Sequence, residues 1–165
     1  MMSEQFKYSD SPAKSTPDQK LYLEDLFVGQ RFTSAAYLMD EERIKTFAME
    51  FDPQPFHLDQ AAAQNTVFRG LSASGWHTAA VAMRLLVKGG LPLGNGIIGL
   101  GGDLAWPNPT RPGDTLHVES EILDITPSKS KPDRAVVKVK STTLNQEGVP
   151  VHIFTSRVLV FKRPI

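Results

Sequence analysis

The spacing of apolar positions predicts a strand followed by a helix near the start of the folded region. Aromatic and polar residues alternate over 30–39, a pattern typical of a strand. From Ile44 to Phe51 the apolar residues recur at i, i+3, i+4 and i+7, which places them on one face of a helix. Asp40 stands where the N-cap of that helix is expected, because a carboxylate there accepts a hydrogen bond from the first helical turn.

Two prolines interrupt the pattern directly after this helix. Pro53 has no backbone donor and disfavours helical geometry at the residue before it, so the helix is expected to end at Phe51 or Asp52. We therefore predict a stiff, non-helical connector over 52–57. A short helix over 61–64 follows, with Asp59 as its cap.

The second half of the chain predicts one buried helix and a run of strands. Residues 74–88 carry apolar side chains on nearly every face, and a glycine pair follows them as a stop signal. Four later segments have strand character and are separated by turns such as Arg111-Pro-Gly-Asp114. This order predicts an α+β fold in which an antiparallel sheet wraps a long central helix. The four segments are 97–106, 115–125, 134–144 and 151–161.

The N-terminal segment differs from the remainder in composition. Residues 1–20 are mainly polar, with too few apolar side chains to offset the entropy lost on ordering. We interpret them as a flexible leader and place a single folded domain over 21–165. The leader lacks the apolar core of a signal peptide, and no later apolar run is long enough to span a bilayer, so a cytoplasmic protein is expected.

Charge and cysteine content exclude several classes of function. Lys and Arg total 18, as do Asp and Glu, so the net charge is zero and the basic surface of nucleic-acid and anionic-membrane binders is not expected. The chain contains no cysteine, which excludes disulfides, thiolate metal sites and a thiol nucleophile. Its histidines show no metal-ligand spacing, and Gly94-Asn-Gly-Ile-Ile-Gly99 enters a strand, where a dinucleotide fingerprint would open a helix.

The predicted connector carries one candidate pair for proton transfer. Asp52 and His57 flank its two prolines, which restrict the backbone and can hold both side chains toward one pocket. A carboxylate and an imidazole so placed can exchange protons near neutral pH. Because the spacing alone is a weak signal, local sequence favours a purely structural arrangement, in which Asp52 caps turn amides and His57 is a half-buried loop residue.

The start of the buried helix is a second candidate. Ser74 and Gly75 stand at its N-terminus, where backbone N–H groups can stabilise developing negative charge and a glycine lets a ligand approach closely. The alternative is that Ser74 is only a helix cap and Gly75 only allows close packing. Nothing in the local sequence separates these two interpretations.

Taken together, these motifs resemble those of the MaoC-like acyl dehydratases, a family of hotdog fold that includes R-specific enoyl-CoA hydratases. The resemblance extends over 21–165. It is carried by four ordered segments: Leu23-Glu-Asp-Leu-Phe-Val-Gly-Gln-Arg-Phe32, Phe51-Asp-Pro-Gln-Pro-Phe-His-Leu-Asp59, Arg111-Pro-Gly-Asp-Thr-Leu116 and Ser156-Arg-Val-Leu-Val160.

The resemblance implies roles for the candidate residues. Asp52 and His57 match the acid and base of the family's catalytic motif, with Gln54 in place of an asparagine, and Gly75 matches the glycine whose N–H binds the thioester oxygen. Ser74 replaces the histidine that usually precedes that glycine, and it belongs to the expected substrate-binding set. The implied reaction is reversible hydration of trans-2-enoyl thioesters, or dehydration of 3-hydroxyacyl thioesters, on coenzyme A or a carrier.

The same resemblance bears on cofactors and partners. No metal or redox cofactor is required, because the thioester itself acidifies the carbon next to its carbonyl. An exposed sheet edge is expected in such a fold, so we predict a homodimer or higher homo-oligomer. Two alternatives stay open: a hotdog thioesterase that hydrolyses the same thioester, and a non-catalytic subunit that binds it.

Overall fold

The computed structural model describes residues 19–164, and the leader expected at 1–20 lies almost entirely outside these residues. The described residues contain four α-helices and six strands, a short 3₁₀ helix at Leu23–Asp25 and a π-helical segment at Leu86–Gly90 that follows α4. The helices are α1 (Glu41–Phe51), α2 (Pro55–Leu58), α3 (Gln60–Gln64) and α4 (Gly75–Leu85). The strands are β1 (Arg31–Thr33), β2 (Tyr37–Leu38), β3 (Ile98–Ala105), β4 (Thr115–Pro127), β5 (Arg134–Leu144) and β6 (Pro150–Phe161).

The strands form one antiparallel sheet in the order β1-β4-β5-β6-β3, with β2 paired to β4 beside β1. Helix α4 packs against β4 and β6. The predicted α+β arrangement, an antiparallel sheet around a long helix, is therefore confirmed. The bounds expected for the four late strands are met within about two residues, the usual uncertainty of strand ends.

Alternation along the central strands explains which face of the sheet is covered. In β5 the side chains of Ala135, Val137 and Val139 are buried, whereas Lys138 and Lys140, which each follow a buried valine, are exposed. This period of two points one row of side chains at α4 and the other at solvent. Each fully buried valine contributes about 1.5–3 kcal/mol relative to an exposed one, so the strands are fixed in register by the core.

Helix α4 begins at a side-chain cap and buries one face. The hydroxyl of Ser74 accepts a hydrogen bond from the N–H of Trp76, and Val81, Ala82 and Leu85 pack into the core. The central helix predicted from the sequence is therefore present, with buried residues along its length, and the opposite face, which includes Met83, is exposed. Within residues 19–164 no second layer covers that face, and no helix is long and apolar enough to cross a membrane.

Two local predictions are corrected by the structure. The strand expected over 30–39 is broken into β1 and β2, because Ser34 leaves the strand pattern and bonds Val118 through both its N–H and its hydroxyl. The connector expected to be non-helical contains α2, which starts at Pro55. Proline is well suited to the first turn of a helix, where its missing donor has no intrahelical acceptor.

Strand β3 lies at one end of the sheet and is exposed on both faces. Among the described strands it pairs only with β6, and seven of its eight residues are exposed, including Ile98 and Leu100. A sheet edge of this length presents backbone donors and acceptors that can pair with another chain. The fold therefore offers an open edge on the side of the sheet that β3 forms.

Candidate active site

The four residues predicted from the sequence lie together at the junction of α1, α2 and α4. Asp52 is the C-cap of α1, His57 belongs to α2, and Ser74 and Gly75 begin α4. Asp52, His57 and Gly75 line a cleft of about 480 Å³. Ser74 is fully buried and contacts Asp52.

Asp52 is held by two hydrogen bonds through its carboxylate. The Ser74 hydroxyl donates to Oδ2 at 2.7 Å, and the Gln54 amide donates to Oδ1 at 2.7 Å. Burial by itself would raise the pKa of Asp52, but the bonds from Ser74 and Gln54 and the interaction with His57 together lower the pKa below its usual range. Asp52 is therefore ionised at neutral pH, and Gln54 orients it despite replacing the expected asparagine.

His57 is buried and its tautomer is set by the backbone. Its Nδ1 lies 2.6 Å from the carbonyl oxygen of Ser72. Because a carbonyl oxygen can only accept a hydrogen bond, Nδ1 must carry the proton and donate it. In the neutral imidazole Nε2 is then without a proton, and this nitrogen lies 3.3 Å from Oδ2 of Asp52.

With His57 neutral and Asp52 ionised, no proton lies between Nε2 of His57 and Oδ2 of Asp52. Neutral Nε2 and ionised Oδ2 are both acceptors, and two acceptors at 3.3 Å repel unless a proton or a donor lies between them. A water molecule can donate to both atoms, and a protonated imidazole can donate directly to the carboxylate. Either arrangement allows the pair to take a proton from water and to release one to a substrate carbon.

Gly75 stands at the N-terminus of α4, in contact with an aromatic side chain. The Ser74 hydroxyl accepts only the N–H of Trp76, so the Gly75 N–H has no intrahelical partner. Trp106 packs over Gly75, donating from Nε1 to the Gly75 carbonyl at 2.8 Å. A side chain at position 75 would place its Cβ 2.8 Å from the indole, which explains the glycine.

The remaining cleft walls are mainly apolar, and the sequence analysis missed most of them. Trp106 and Pro107 follow β3, Val67 and Phe68 follow α3, and Trp76 lies in the first turn of α4. These side chains come from separate elements with no shared periodicity, so pattern arguments could not group them. One available signal was the pair of tryptophans, since both tryptophans of the chain line this cleft.

The other histidines lie outside this cluster. His77 packs in α4 parallel to the Phe47 ring, with centroids 4.7 Å apart, and burial lowers its pKa. His152 is buried in β6 beside Thr143, and burial lowers its pKa to about 4. His117 lies in β4 near Glu119. Within the described part of the chain, no group of three or more His, Asp or Glu side chains is placed to hold a metal ion.

Comparison with known families and structures covers most of the chain. Residues 24–145 match the family model described as the MaoC like domain. The crystal structure of a MaoC-like dehydratase from Rhodospirillum rubrum is similar, with 63% sequence identity and a TM-score of 0.87. The alignment covers 88% of this chain and 99% of that one. The hotdog fold expected from the sequence motifs is thereby confirmed.

Two curated proteins are similar at lower identity. Bacillus subtilis YdeM is 31% identical over 130 residues, which is 78% of this chain and 91% of that protein. An (R)-specific enoyl-CoA hydratase of Rhodospirillum rubrum is 31% identical over 114 residues, which is 66% of this chain and 74% of the hydratase.

Proposed function

Since this chain belongs to the MaoC-like dehydratase family, we propose that it adds water reversibly to trans-2-enoyl thioesters and removes it from 3-hydroxyacyl thioesters. The family and the hydratase relative support a hydratase or dehydratase role in general. The observation that carries the specific reaction is the Asp52–His57 pair, with Nε2 and Oδ2 3.3 Å apart in the cleft that Gly75 also lines.

In the hydration direction, His57 Nε2 takes a proton from a water molecule that also donates to Asp52. The O–H bond of the water breaks, its oxygen bonds to C3, and the π electrons of the C2–C3 double bond move toward the thioester oxygen. The proton held by the pair then passes to C2, so that the product has gained one water. The Ser72 carbonyl supports this role for His57, because it keeps the basic nitrogen on the side of the cleft.

The Gly75 N–H is proposed to bind the thioester oxygen as negative charge develops on it. The positive end of the α4 dipole strengthens this interaction, because the charge lies at the helix N-terminus. Ser74 contributes from behind by fixing Asp52, which makes it a positioning residue for the carboxylate. The sequence motifs place Ser74 in the substrate-binding set; from its bond to Asp52 we propose that it acts on the acid–base pair.

The experiment that tests the reaction follows two products in one mixture. Trans-2-enoyl-CoA substrates of increasing chain length are incubated with the protein, and loss of enoyl absorbance is recorded alongside release of free thiol. Hydration consumes the enoyl chromophore without releasing thiol. Release of free thiol at the rate at which the enoyl absorbance is lost would identify a thioesterase. Binding of the substrate with neither change would identify a non-catalytic subunit.

We also propose that two copies of the chain associate through the side of the sheet that β3 forms. The β3 edge is exposed on both faces, and Ile98 and Leu100 would become buried if a second copy covered it. Burial of these side chains and pairing of the open backbone both favour a symmetric dimer. Light scattering coupled to gel filtration measures this directly, with a dimer mass as the expected result.

A further inference from the structure

The segment 68–74 forms part of the cleft wall without helix or strand, and most of it is buried. Residues 70–74 are all buried, so their backbone carbonyls cannot rely on solvent for hydrogen bonds. A buried stretch without regular structure therefore needs donors from elsewhere in the fold. This stretch includes the Ser72 carbonyl that accepts the proton of His57 Nδ1.

One side chain donates to three carbonyls of this segment. The Arg111 guanidinium donates to the carbonyls of Gly70 at 2.9 Å and Leu71 at 3.1 Å. Its second terminal nitrogen donates to the carbonyl of Phe68. A planar guanidinium has several donors in fixed directions, whereas a lysine ammonium cannot match three carbonyls in this arrangement.

The backbone around Arg111 is itself held in place. The Asp114 carboxylate accepts the Arg111 N–H at 2.7 Å, and Asp114 in turn accepts the Gln146 amide at 3.1 Å. One residue earlier, the Thr110 carbonyl accepts the Ala73 N–H at 2.9 Å. The turn that precedes β4 is therefore tied to the 68–74 segment on both sides of Ser72.

From these contacts we propose that Arg111 is a positioning residue that fixes His57 through the Ser72 carbonyl, a role that rests on the proposed hydratase function. Arg111 holds the residues just before Ser72, and Thr110 holds the residue just after it. Together they aim the Ser72 carbonyl at Nδ1, and that bond keeps Nε2 without a proton and directed at Asp52. Loss of the guanidinium should loosen this carbonyl and let His57 change tautomer.

The kinetic test compares three variants with the wild-type protein. Arg111→Met removes the donors but keeps the length of the side chain, and Arg111→Lys restores one donor group. Arg31→Met is the matched control, because Arg31 is an exposed residue of β1 that pairs with Glu121 and does not line the cleft. Misplacing a catalytic group by about 1 Å can cost roughly 100-fold in rate, so kcat of Arg111→Met should fall about 10- to 100-fold. KM should change little, Arg111→Lys should be intermediate, and Arg31→Met should match the wild type.

The second readout does not depend on activity. NMR of isotope-labelled histidine distinguishes a proton on Nδ1 from one on Nε2, and His57→Gln identifies the His57 signals among the four histidines. Wild-type and Arg31→Met proteins should show His57 protonated at Nδ1. Arg111→Met should show a mixture of the two tautomers at a temperature well below its unfolding transition.

A folded Arg111→Met protein with wild-type kcat and His57 still protonated at Nδ1 would overturn the proposal and leave Arg111 a purely structural residue. If Arg111→Met does not fold, Arg111→Lys decides by the same two measurements. If the wild-type protein hydrates no enoyl thioester, the proposed function fails on its own. The NMR comparison then decides the positioning role of Arg111.

Discussion

Replacing Asp52 and His57 separately and together tests whether they act as one catalytic unit. Asp52→Asn keeps the shape of the side chain but removes its charge. His57→Gln keeps a donor that can reach the Ser72 carbonyl but removes the titrating ring. A positioned acid or base contributes about 10²- to 10⁴-fold to a rate, so each single change should lower turnover by that factor. This corresponds to about 3–5 kcal/mol in the barrier.

Turnover of the double variant shows whether Asp52 and His57 act together or as two independent groups. Nε2 and Oδ2 lie 3.3 Å apart and exchange the same proton in the proposed mechanism. Once either atom is lost the proton cannot be transferred, so removing the other should add little. Independent groups would instead multiply their losses.

Stability must be measured on the same proteins, because both side chains are well packed. Asp52 accepts two bonds at 2.7 Å, and a hydrogen bond to a charged group contributes about 1.5–3 kcal/mol where a neutral one contributes about 0.5–1.5. Asp52→Asn should therefore lower the free energy of unfolding by about 1–3 kcal/mol. A domain with a typical stability of about 5–15 kcal/mol stays folded after such a loss.

The assay records enoyl-CoA turnover and denaturant unfolding for wild type, both single variants and the double variant. Strongly reduced turnover in each single variant, with little further loss in the double variant, is the expected result. Near-normal turnover of His57→Gln, in a preparation whose wild type is active, would remove His57 from the mechanism. Reduced stability of Asp52→Asn with normal turnover would show that Asp52 has only a capping role.

Three further predictions concern the neighbours of this pair and the sheet edge. Ser74→Ala removes a helix cap and a bond to Asp52, so unfolding at neutral pH should require about 1–3 kcal/mol less, measured by denaturant titration. The bond from Ser74 lowers the folded-state pKa of Asp52, so its contribution to stability is present above the unfolded pKa of about 4 and is lost as the pH falls through the folded value. The difference in unfolding free energy between Ser74→Ala and wild type should therefore become smaller in acid. Gly75→Ala places a methyl group 2.8 Å from the Trp106 indole and should lower kcat about 10- to 100-fold by displacing the Gly75 N–H, with a shift in tryptophan fluorescence. A fluorescence shift with unchanged kcat would contradict the expectation that the position of this N–H limits the rate. Leu100→Lys puts a charge on the exposed β3 edge and should yield a monomer by light scattering, whereas an unchanged dimer mass would place the interface elsewhere.

The elements that could be predicted are those whose signals are local. Helix α1 begins after Asp40 and ends at Phe51 as its cap and Pro53 indicate, and β5 occupies the residues its alternation predicts. Interruptions of a predicted strand depend on residues that are distant in the sequence. The strand expected over 30–39 is interrupted where Ser34 bonds Val118, which is distant in the sequence and invisible to a window of neighbouring residues.

The candidate site divides in the same way. Asp52, His57 and Gly75 could be predicted because they lie in short segments that resemble motifs of a known family. The groups that give the pair its properties lie elsewhere in the chain: the Ser72 carbonyl fixes the His57 tautomer, and Trp106 covers Gly75. A backbone carbonyl has no sequence signature, so no reading of residue types could have identified that contact.

Helix ends, strand alternation and the pair of residues that can carry a proton could all be predicted from the sequence. These follow from backbone dihedral preferences, capping and side-chain chemistry, which act within a few residues. Tertiary contacts set the remaining properties: which nitrogen of His57 is basic, the low pKa of Asp52, and the hold of Arg111 on the segment that carries the Ser72 carbonyl. Hydrogen bonds between segments fix these properties, and folding alone brings such segments to bonding distance.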